Sequence, residues 1–460
     1  MIDIFKNSSQ EEQGSIKLLL KIAIPLIITT SSSSLMSFVD RMFLSWYSAD
    51  TLAACLPGGL LSFSVISFFM GMCGYTNVFV ANYYGKKKFA NLSVALWQGV
   101  ILGFVSWILI AGFVPVGNFL IDSSHHDAAI KVLEKQYYSI LALTGGLVVI
   151  NNALAGFFTG QGKTAITMVV NVFGNLVNVV LSYTMIFGNW GFAEMGIRGA
   201  AWSTVIGNAV ITLIFFAIIF SPKINKRFRI GRLFGFNKQA AWRLVKYGLP
   251  NGFGFFMDIV SFSVFAFFTG NIDKISLAAS NIVLTLEMIV FMPLLGLAIA
   301  TQVLMGRYVG MKRPDLGIRT TWNAVRTGGV YVIGIVLCFI FAPKFFTGMF
   351  VGNTLTHDMS LVLEKTVPLM WLLCFFTVGD LMYLCFGDAI RGAGDTKFHM
   401  KAMVSCSVFL LMPGTYIIIN VLHLGITAAW MWIVFYAWAT GVIMFLRFLS
   451  GKWKHIDITA

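Results

Sequence analysis

Twelve stretches of this sequence are each long and apolar enough to cross a lipid bilayer, which takes about 20 residues of helix. Their approximate cores are 18–45, 54–83, 92–119, 136–158, 165–187, 196–220, 244–269, 276–305, 322–345, 361–386, 399–421 and 424–447. Hydrocarbon offers no water to backbone N–H and C=O groups, so spans of this kind are read as helices. Composition agrees, with 58% hydrophobic and 11% charged residues, against about 25% charged in soluble domains. The expected fold class is an all-α membrane protein. A formal charge of +14 would suit nucleic acid only if it formed a soluble basic face. Here the cations sit between apolar runs, so membrane topology explains them and no nucleic-acid partner is expected. Cys55, Cys73, Cys338, Cys374, Cys385 and Cys406 fall in or beside apolar segments with no CxxC spacing. They read as buried thiols rather than a disulfide or zinc framework. The polar N-terminus leads into a run too long for a signal peptide, so no cleavable leader is expected.

The connections set the orientation. One alternate set carries Lys86, Lys87, Lys88, Lys163, Lys312, Arg313, Arg391 and Lys397, together with the strongly basic 221–246 connection. The other set is poorer in cations and carries Asp50, Asp122, Asp127, Glu194, Asp273 and Asp358. The positive-inside rule places the basic set in the cytoplasm, with both termini there.

The basic connection falls at the midpoint, and landmarks recur across it. Lys21-x-x-x-Pro25 returns as Lys246-x-x-x-Pro250, 225 residues later, and Leu52-Ala53-Ala54 returns as Leu277-Ala278-Ala279 at the same offset. Gly71 and Gly85 return as Gly296 and Gly310. "TGQGKTA" (159–165) is echoed by "RGAGDTK" (391–397), and "GIRGAAW" (196–202) by "GITAAW" (425–430), with a drifting offset. Two six-helix lobes of the same orientation follow, a parallel repeat about an axis along the membrane normal. That is an architecture of secondary transporters, with the site near the midplane between repeats. The expected division is 1–220, a basic cytoplasmic linker at 221–243, and 244–460.

Of nineteen acidic residues, four fall well inside these spans: Asp40, Asp258, Glu287 and Asp380. Asp at a helix centre costs about 2.5–3.5 kcal/mol on insertion scales. A carboxylate can be kept there by a buried base, as Arg41 could do for Asp40, or because it binds a cation. A buried carboxylate beside other acids can load and unload a proton, or hold Na⁺ or an organic cation when ionised. Shared binding of proton and cargo would couple their movements by linkage.

On these segments the chain resembles a multidrug and toxic compound extrusion (MATE) transporter over essentially its whole length. "SFVDRMFLSWYSADTLAAC" resembles the family's first-helix segment, and "YGLPNGFGFFMD" its seventh, where an acid lies eight residues after the proline. "VGDLMYLCFGDAIRGAGDTK" resembles the tenth, with an Asp eleven residues before an Arg-Gly turn. The resemblance implies a cation site at Asp40 with Asn178 and Thr204 from the fifth and sixth helices. Ser182 stands where many members have Asp or Asn, which weighs against Na⁺ there. It implies a second coupling site at Asp258 and Asp380, for H⁺ or Na⁺, with Asn281 at a position often Gln or His. Phe376 stands where some members offer a Tyr hydroxyl. Glu287 is an added acid in this half. No cofactor is implied beyond the coupling ion.

Phe253, Phe256 and Met257 beside Asp258 are the candidate cavity wall for planar cations. Pro25 lacks an N–H and is expected to bend the first helix. The glycine-rich turns lack Walker spacing, which disfavours an ATP-driven pump. His125, His126, His357, His399, His423 and His455 lie in loops or near helix ends, without zinc spacing, and read as surface. The expected function is a cation-coupled antiporter exporting amphipathic, cationic compounds, acting as a monomer in a bacterial inner membrane. The alternative is a flippase for a lipid or lipid-linked saccharide, which should line its cavity with Arg and Lys instead of acids. A channel or a membrane enzyme has less support, since no catalytic His–Asp cluster appears.

Overall fold

The computed structural model describes residues 12–124, 126–270, 272–348 and 357–459, the side chains of 357–359 excepted. His125 and the side chains of His357 and Asp358 lie outside the described residues. Twelve membrane-length helical segments follow one another among them: α1 (Ile16–Tyr47), α2 (Ala49–Gly85), α3 (Phe89–Asp122), α4 (Ala128–Gly160), α5 (Thr164–Phe187), α6 (Ile197–Ile219), α7 (Lys238–Thr269), α8 (Lys274–Gly310), α9 (Pro314–Phe341), α10 (His357–Gly392), α11 (Thr396–Val421) and α12 (Gly425–Leu449). Eleven are long and apolar enough singly, and α4 is a pair of helices bent by 41° at Gly145.

The helix ends are set by local chemistry. Side chains of Ser15, Ser48, Asn237 and Asp273 accept backbone N–H bonds at the starts of α1, α2, α7 and α8, filling donors that a first turn leaves unpaired. Interior prolines such as Pro25, Pro250, Pro293 and Pro368 interrupt none of their helices, as neighbouring groups in a bundle can take up the freed carbonyls. The span before the last differs: α11 widens into π turns at Cys406–Leu411 and Ile417–Val421, on either side of Pro413.

The two halves meet by exchange. Helix α1 packs on α8 of the other half, and α7 packs on α2. The repeated glycines mark the crossings. A Cβ at Gly71 would lie 2.6 Å from Gly252 Cα, and one at Gly296 would lie 2.7 Å from Ile27 Cα; Gly71 and Gly296, like Ile27 and Gly252, are 225 residues apart. A Cβ at Gly85 would overlap the Arg307 carbonyl, and one at Gly310 the Asn82 carbonyl, again a pair at the same offset. Small residues allow membrane helices this close approach. On the axis itself, Asn77 Nδ2 donates to Gln302 Oε1 at 3.0 Å, so two equivalent positions meet each other. These contacts form a seam from the basic end to mid-helix, where Thr30 Oγ1 donates to the Met292 carbonyl and Phe63 meets Phe255 edge-on.

The basic ends are clasped as well. Ahead of α1, Gly14 N–H donates to Tyr308 Oη and Gly14 O accepts from Asn323 Nδ2, both at 2.8 Å. Ahead of α7, Gly235 O accepts from Gln98 Nε2 and Asn237 N–H donates to Gln98 Oε1. Gln98 and Asn323 are 225 residues apart, so each half's lead-in rests on the other half. The 221–243 segment carries the helix Pro222–Phe228 and is tied to α3 by Ser93 Oγ to Phe228 O and Trp97 Nε1 to Ile230 O. The C-terminal segment crosses back: Lys86 Nζ donates to both Asp457 oxygens at 2.9 Å, and Thr459 Oγ1 to Asn82 Oδ1 at 3.2 Å.

That last clasp has a pH signature. Burial raises the Asp457 carboxyl, but hydrogen bonds from Lys86 and Thr459 outweigh it and hold it at about 2. A carboxylate whose folded value lies below its unfolded value of about 4 stabilises above that value, and loses the contribution as pH falls through the folded one. The pair is partly exposed, so its worth is under about 1 kcal/mol. Asp457→Asn is therefore expected to lower the thermal unfolding midpoint slightly near neutral pH. The gap from the natural chain should shrink as pH falls from about 5 to about 3; a gap that stays constant over that range would discount the ion pair.

Candidate functional site

Two acidic sites form, one in each half, and they do not obey the repeat. Asp40 lies fifteen residues after Pro25, whereas Asp258 lies eight after Pro250. At 1.5 Å per residue, Asp40 sits about 10 Å farther from the basic end. The position equivalent to Asp40 is Phe265, and that equivalent to Asp258 is Ser33.

In the first half, Asp40 is buried (5% exposed). Ser182 Oγ stands 2.5 Å from Asp40 Oδ1, and Ser203 Oγ 2.6 Å from Ser182 Oγ. Ser203 also reaches the Ala200 carbonyl at 2.8 Å. Each hydroxyl has one proton to donate, which gives this row two complete arrangements. With Asp40 ionised, Ser203 donates to Ser182 and Ser182 to the carboxylate. With Asp40 protonated, the acid donates to Ser182, Ser182 to Ser203 and Ser203 to Ala200 O. The row can serve both charge states by reversing. One helical turn away, Asn178 Nδ2 donates to Thr204 Oγ1 at 3.2 Å, while its buried Oδ1 has no partner. Arg41 is exposed, and the contact Asp40 makes is with Ser182 rather than with its neighbour. Tyr137 and Cys55 lie within electrostatic reach of Asp40; nothing in their local sequence marks them.

In the second half, Asp258 from α7 and Asp380 from α10 share one cavity. Tyr383 Oη donates to Asp258, 2.9 Å from Oδ2 and 3.2 Å from Oδ1. Phe262 and Phe376, set edge-to-face with centroids 6.1 Å apart, wall the cavity together with Tyr436 and Thr440 of α12. The hydroxyl that Phe376 cannot supply thus comes from Tyr383, one turn beyond Asp380. Glu287 on α8 lies within electrostatic reach of Asp380 but is not among the residues that line the cavity. Phe253, Phe256 and Met257 stand outside this cavity's walls: Phe253 pairs edge-on with Phe68 across the seam, Phe256 stacks at a tilt beside Phe253, and Met257 is buried with its carbonyl accepting from Ser261. They precede Asp258 closely in sequence, but a helix turns successive residues to different neighbours. Asn281 is exposed and its side chain joins none of these bonds.

A second polar layer lies about two to three turns nearer the basic end. Buried Asp388 and the largely covered Arg391 form an ion pair at 2.6 Å. Arg391 Nη1 reaches Asn251 Oδ1 at 3.4 Å, Asn251 Nδ2 donates to Gly71 O across the seam at 2.8 Å, and Tyr75 Oη donates to Arg391 O at 2.6 Å. His399, expected at the surface, is 1% exposed: α11 enters the bundle from its first turn, and α7 and α10 cover the ring. Two intramembrane acids beyond the expected four also appear. Asp388 lies on α10 past the hydropathic core, and Glu134 lies on the polar first turns of α4, buried and 2.7 Å from His126 Nδ1. Among the described residues, no group of three His, Cys, Asp or Glu side chains has metal-binding geometry.

Comparisons with known proteins agree with this architecture. The MatE family model matches residues 25–184 and 250–417, once in each half. The chain is 27% identical to the probable multidrug resistance protein NorM of Thermotoga maritima, covering 98% of this chain and 96% of that one. It is 24% identical to the NorM of Bacillus licheniformis, over 95% and 96%, and 26% identical to the uncharacterized transporter YisQ of Bacillus subtilis, over 93% of each. Among solved structures, a MOP superfamily transporter from Pyrococcus furiosus superposes with TM-score 0.86 at 19% identity, over 95% of each chain. An outward-facing multidrug resistance MATE family transporter also superposes with TM-score 0.86, at 19% identity, over 95% and 96%.

Proposed function

The chain belongs to the MatE family, and on that footing we propose that it is a multidrug efflux transporter that exchanges an inward-moving cation for amphipathic, cationic cargo. The observation that carries this reading is the meeting of Asp258 and Asp380, with Glu287 in reach, on the wall of an aromatic cavity. Carboxylates between aromatic faces, with no ion pair to a basic side chain among the described residues, suit a planar cation, through charge and through the π faces. They suit a phosphate-bearing lipid poorly, since it would bring its own negative charge to them.

Coupling follows from competition. A carboxylate that holds a coupling cation cannot also balance the charge of the cargo, so each expels the other by linkage. H⁺ is the better fit. Hard metal cations take about six or more oxygen ligands, whereas Asp258 is held by one hydroxyl and Asp40 by a reversible hydroxyl row. The free Asn178 Oδ1 next to that row offers one further acceptor, to a hydrated cation or to a cargo N–H.

With the basic end in the cytoplasm, the seam shuts that side. Export then requires the lobes to part at the glycine crossings and to close at the opposite end, carrying the acids from one side to the other. The protein acts as a monomer in the bilayer.

The test is efflux of ethidium from proteoliposomes under an imposed pH gradient or an imposed Na⁺ gradient. Transport driven by the pH gradient and indifferent to Na⁺ is expected. Transport driven by Na⁺ alone would reassign the ion, and transport driven by neither would end the antiport reading.

A further inference from the structure

Among the described histidines His399 alone is buried, and this exchange leaves it unused. Its ring stacks on Tyr383, centroids 5.6 Å apart at 35°, and Tyr383 is the residue that holds Asp258. Gly254, one turn from Asp258 on α7, and Gly387, one turn from Tyr383 on α10, back onto it. A Cβ at Gly254 would come 3.3 Å from Nδ1, and one at Gly387 3.3 Å from Nε2. Neither ring nitrogen has a hydrogen-bond partner. A buried polar group without partners is costly, and an apolar side chain of this size would fill the space without that cost.

The ring also lies in the right layer. The titratable groups placed against it are Tyr383, whose ring it meets, and Arg391, both of α10; Asp258 lies one turn beyond Gly254 on α7, and Tyr436 of α12 contacts Met403 and Ser407 farther along α11. On α11 itself, Lys397 and Lys401 point away and are exposed. Its packing on Gly254 and Gly387 sets the ring nearer the basic end than the acid pair, within electrostatic reach of Arg391.

We propose that His399 is the inner proton station of the second half, taking the proton that Asp258 and Asp380 release and passing it toward the basic end. This rests on the proton-coupled reading of those acids. A neutral imidazole has one free acceptor nitrogen and one N–H. A proton arriving at the first lets the proton on the second leave, and exchange of tautomers resets the ring. One proton advances by about a helical turn and nothing is oxidised or reduced.

The experiment compares the full-length natural chain with His399→Gln and His399→Phe in proteoliposomes. It measures ethidium binding, ethidium/ethidium counterflow, pH-gradient-driven transport against internal pH, and the solvent deuterium isotope effect. Both variants are expected to keep binding within about twofold and to keep counterflow, while gradient-driven transport falls at least about tenfold and its pH profile flattens. Gradient-driven transport with the natural pH profile in either variant would overturn the proposal. Loss of binding and counterflow in His399→Gln, which keeps polarity and size, would show a structural role and overturn it equally. If the natural chain itself ignores the pH gradient, the proton-coupled reading has failed and takes the station with it; that outcome is told apart by the natural chain alone.

Discussion

Asp258→Asn and Asp380→Asn are each expected to abolish gradient-driven export while the protein still inserts and accumulates. Asparagine keeps the shape of the side chain, and at 258 an oxygen that can accept from Tyr383, but it carries no charge and takes no proton. In a cavity walled by Phe262 and Phe376, that would, on the proposed antiport reading, remove both the counter-charge for a cationic cargo and the carrier of the coupling ion. Loss of positioned proton transfer alone costs about 10²–10⁴-fold in rate, enough to return a drug-sensitive host to its unprotected level. Glu287→Gln should cost less, because Glu287 acts on the pair through Asp380. Resistance and gradient-driven ethidium efflux check both, against the amount of protein in the membrane. Unchanged resistance with either Asn variant would move the coupling site to Asp40 and its hydroxyl row.

The spans were legible because the bilayer imposes a length and a polarity that no other constraint overrides. All twelve lie where the apolar runs predict, and the misses are at their ends. Helix α4 begins at Ala128 rather than near 136, α9 at Pro314 rather than near 322, and α10 continues to Gly392 rather than 386. Helical hydrogen bonding continues past the hydrocarbon into polar turns, where hydropathy gives no signal. That is why Glu134 and Asp388 escaped the sequence reading. His399 escaped for a different reason: its burial is produced by glycines on two other helices, and no feature of its own segment reports them. Tyr383 sits in an apolar run that would read the same with Phe. Acid–hydroxyl pairings such as Asp40 with Ser182 join residues 142 apart in sequence; the resemblance had brought both to one site, but only the packing of α1 on α5 shows the reversible row they form.

The repeated glycines yield the second large prediction. Gly85 on α2 and Gly310 on α8 occupy equivalent positions, and a side chain on either would run into the opposite lobe's backbone, at Arg307 O and Asn82 O respectively. Backbone cannot move aside as a flexible side chain can, so Gly85→Leu and Gly310→Leu should each hold the lobes apart at the basic end. The two-fold relation requires the two variants to behave alike, although they share no sequence neighbourhood. Closing the seam then demands a helix displacement that costs several close contacts at once, including the Asn77–Gln302 bond on the axis. A population shift from 1:99 to 99:1 takes about 5.5 kcal/mol, and overpacking a close crossing typically costs about 1–3 kcal/mol or more. A substantial shift toward the form open at the basic end is therefore expected, with transport reduced at least about tenfold because one half of the cycle becomes rare. Spin labels on the exposed Lys88 and Lys312 positions would read the separation directly. Longer distances in both variants are expected. An unchanged distance in both would mean that the seam is not the gate, and a change in only one would mean that the two halves are not mechanically equivalent.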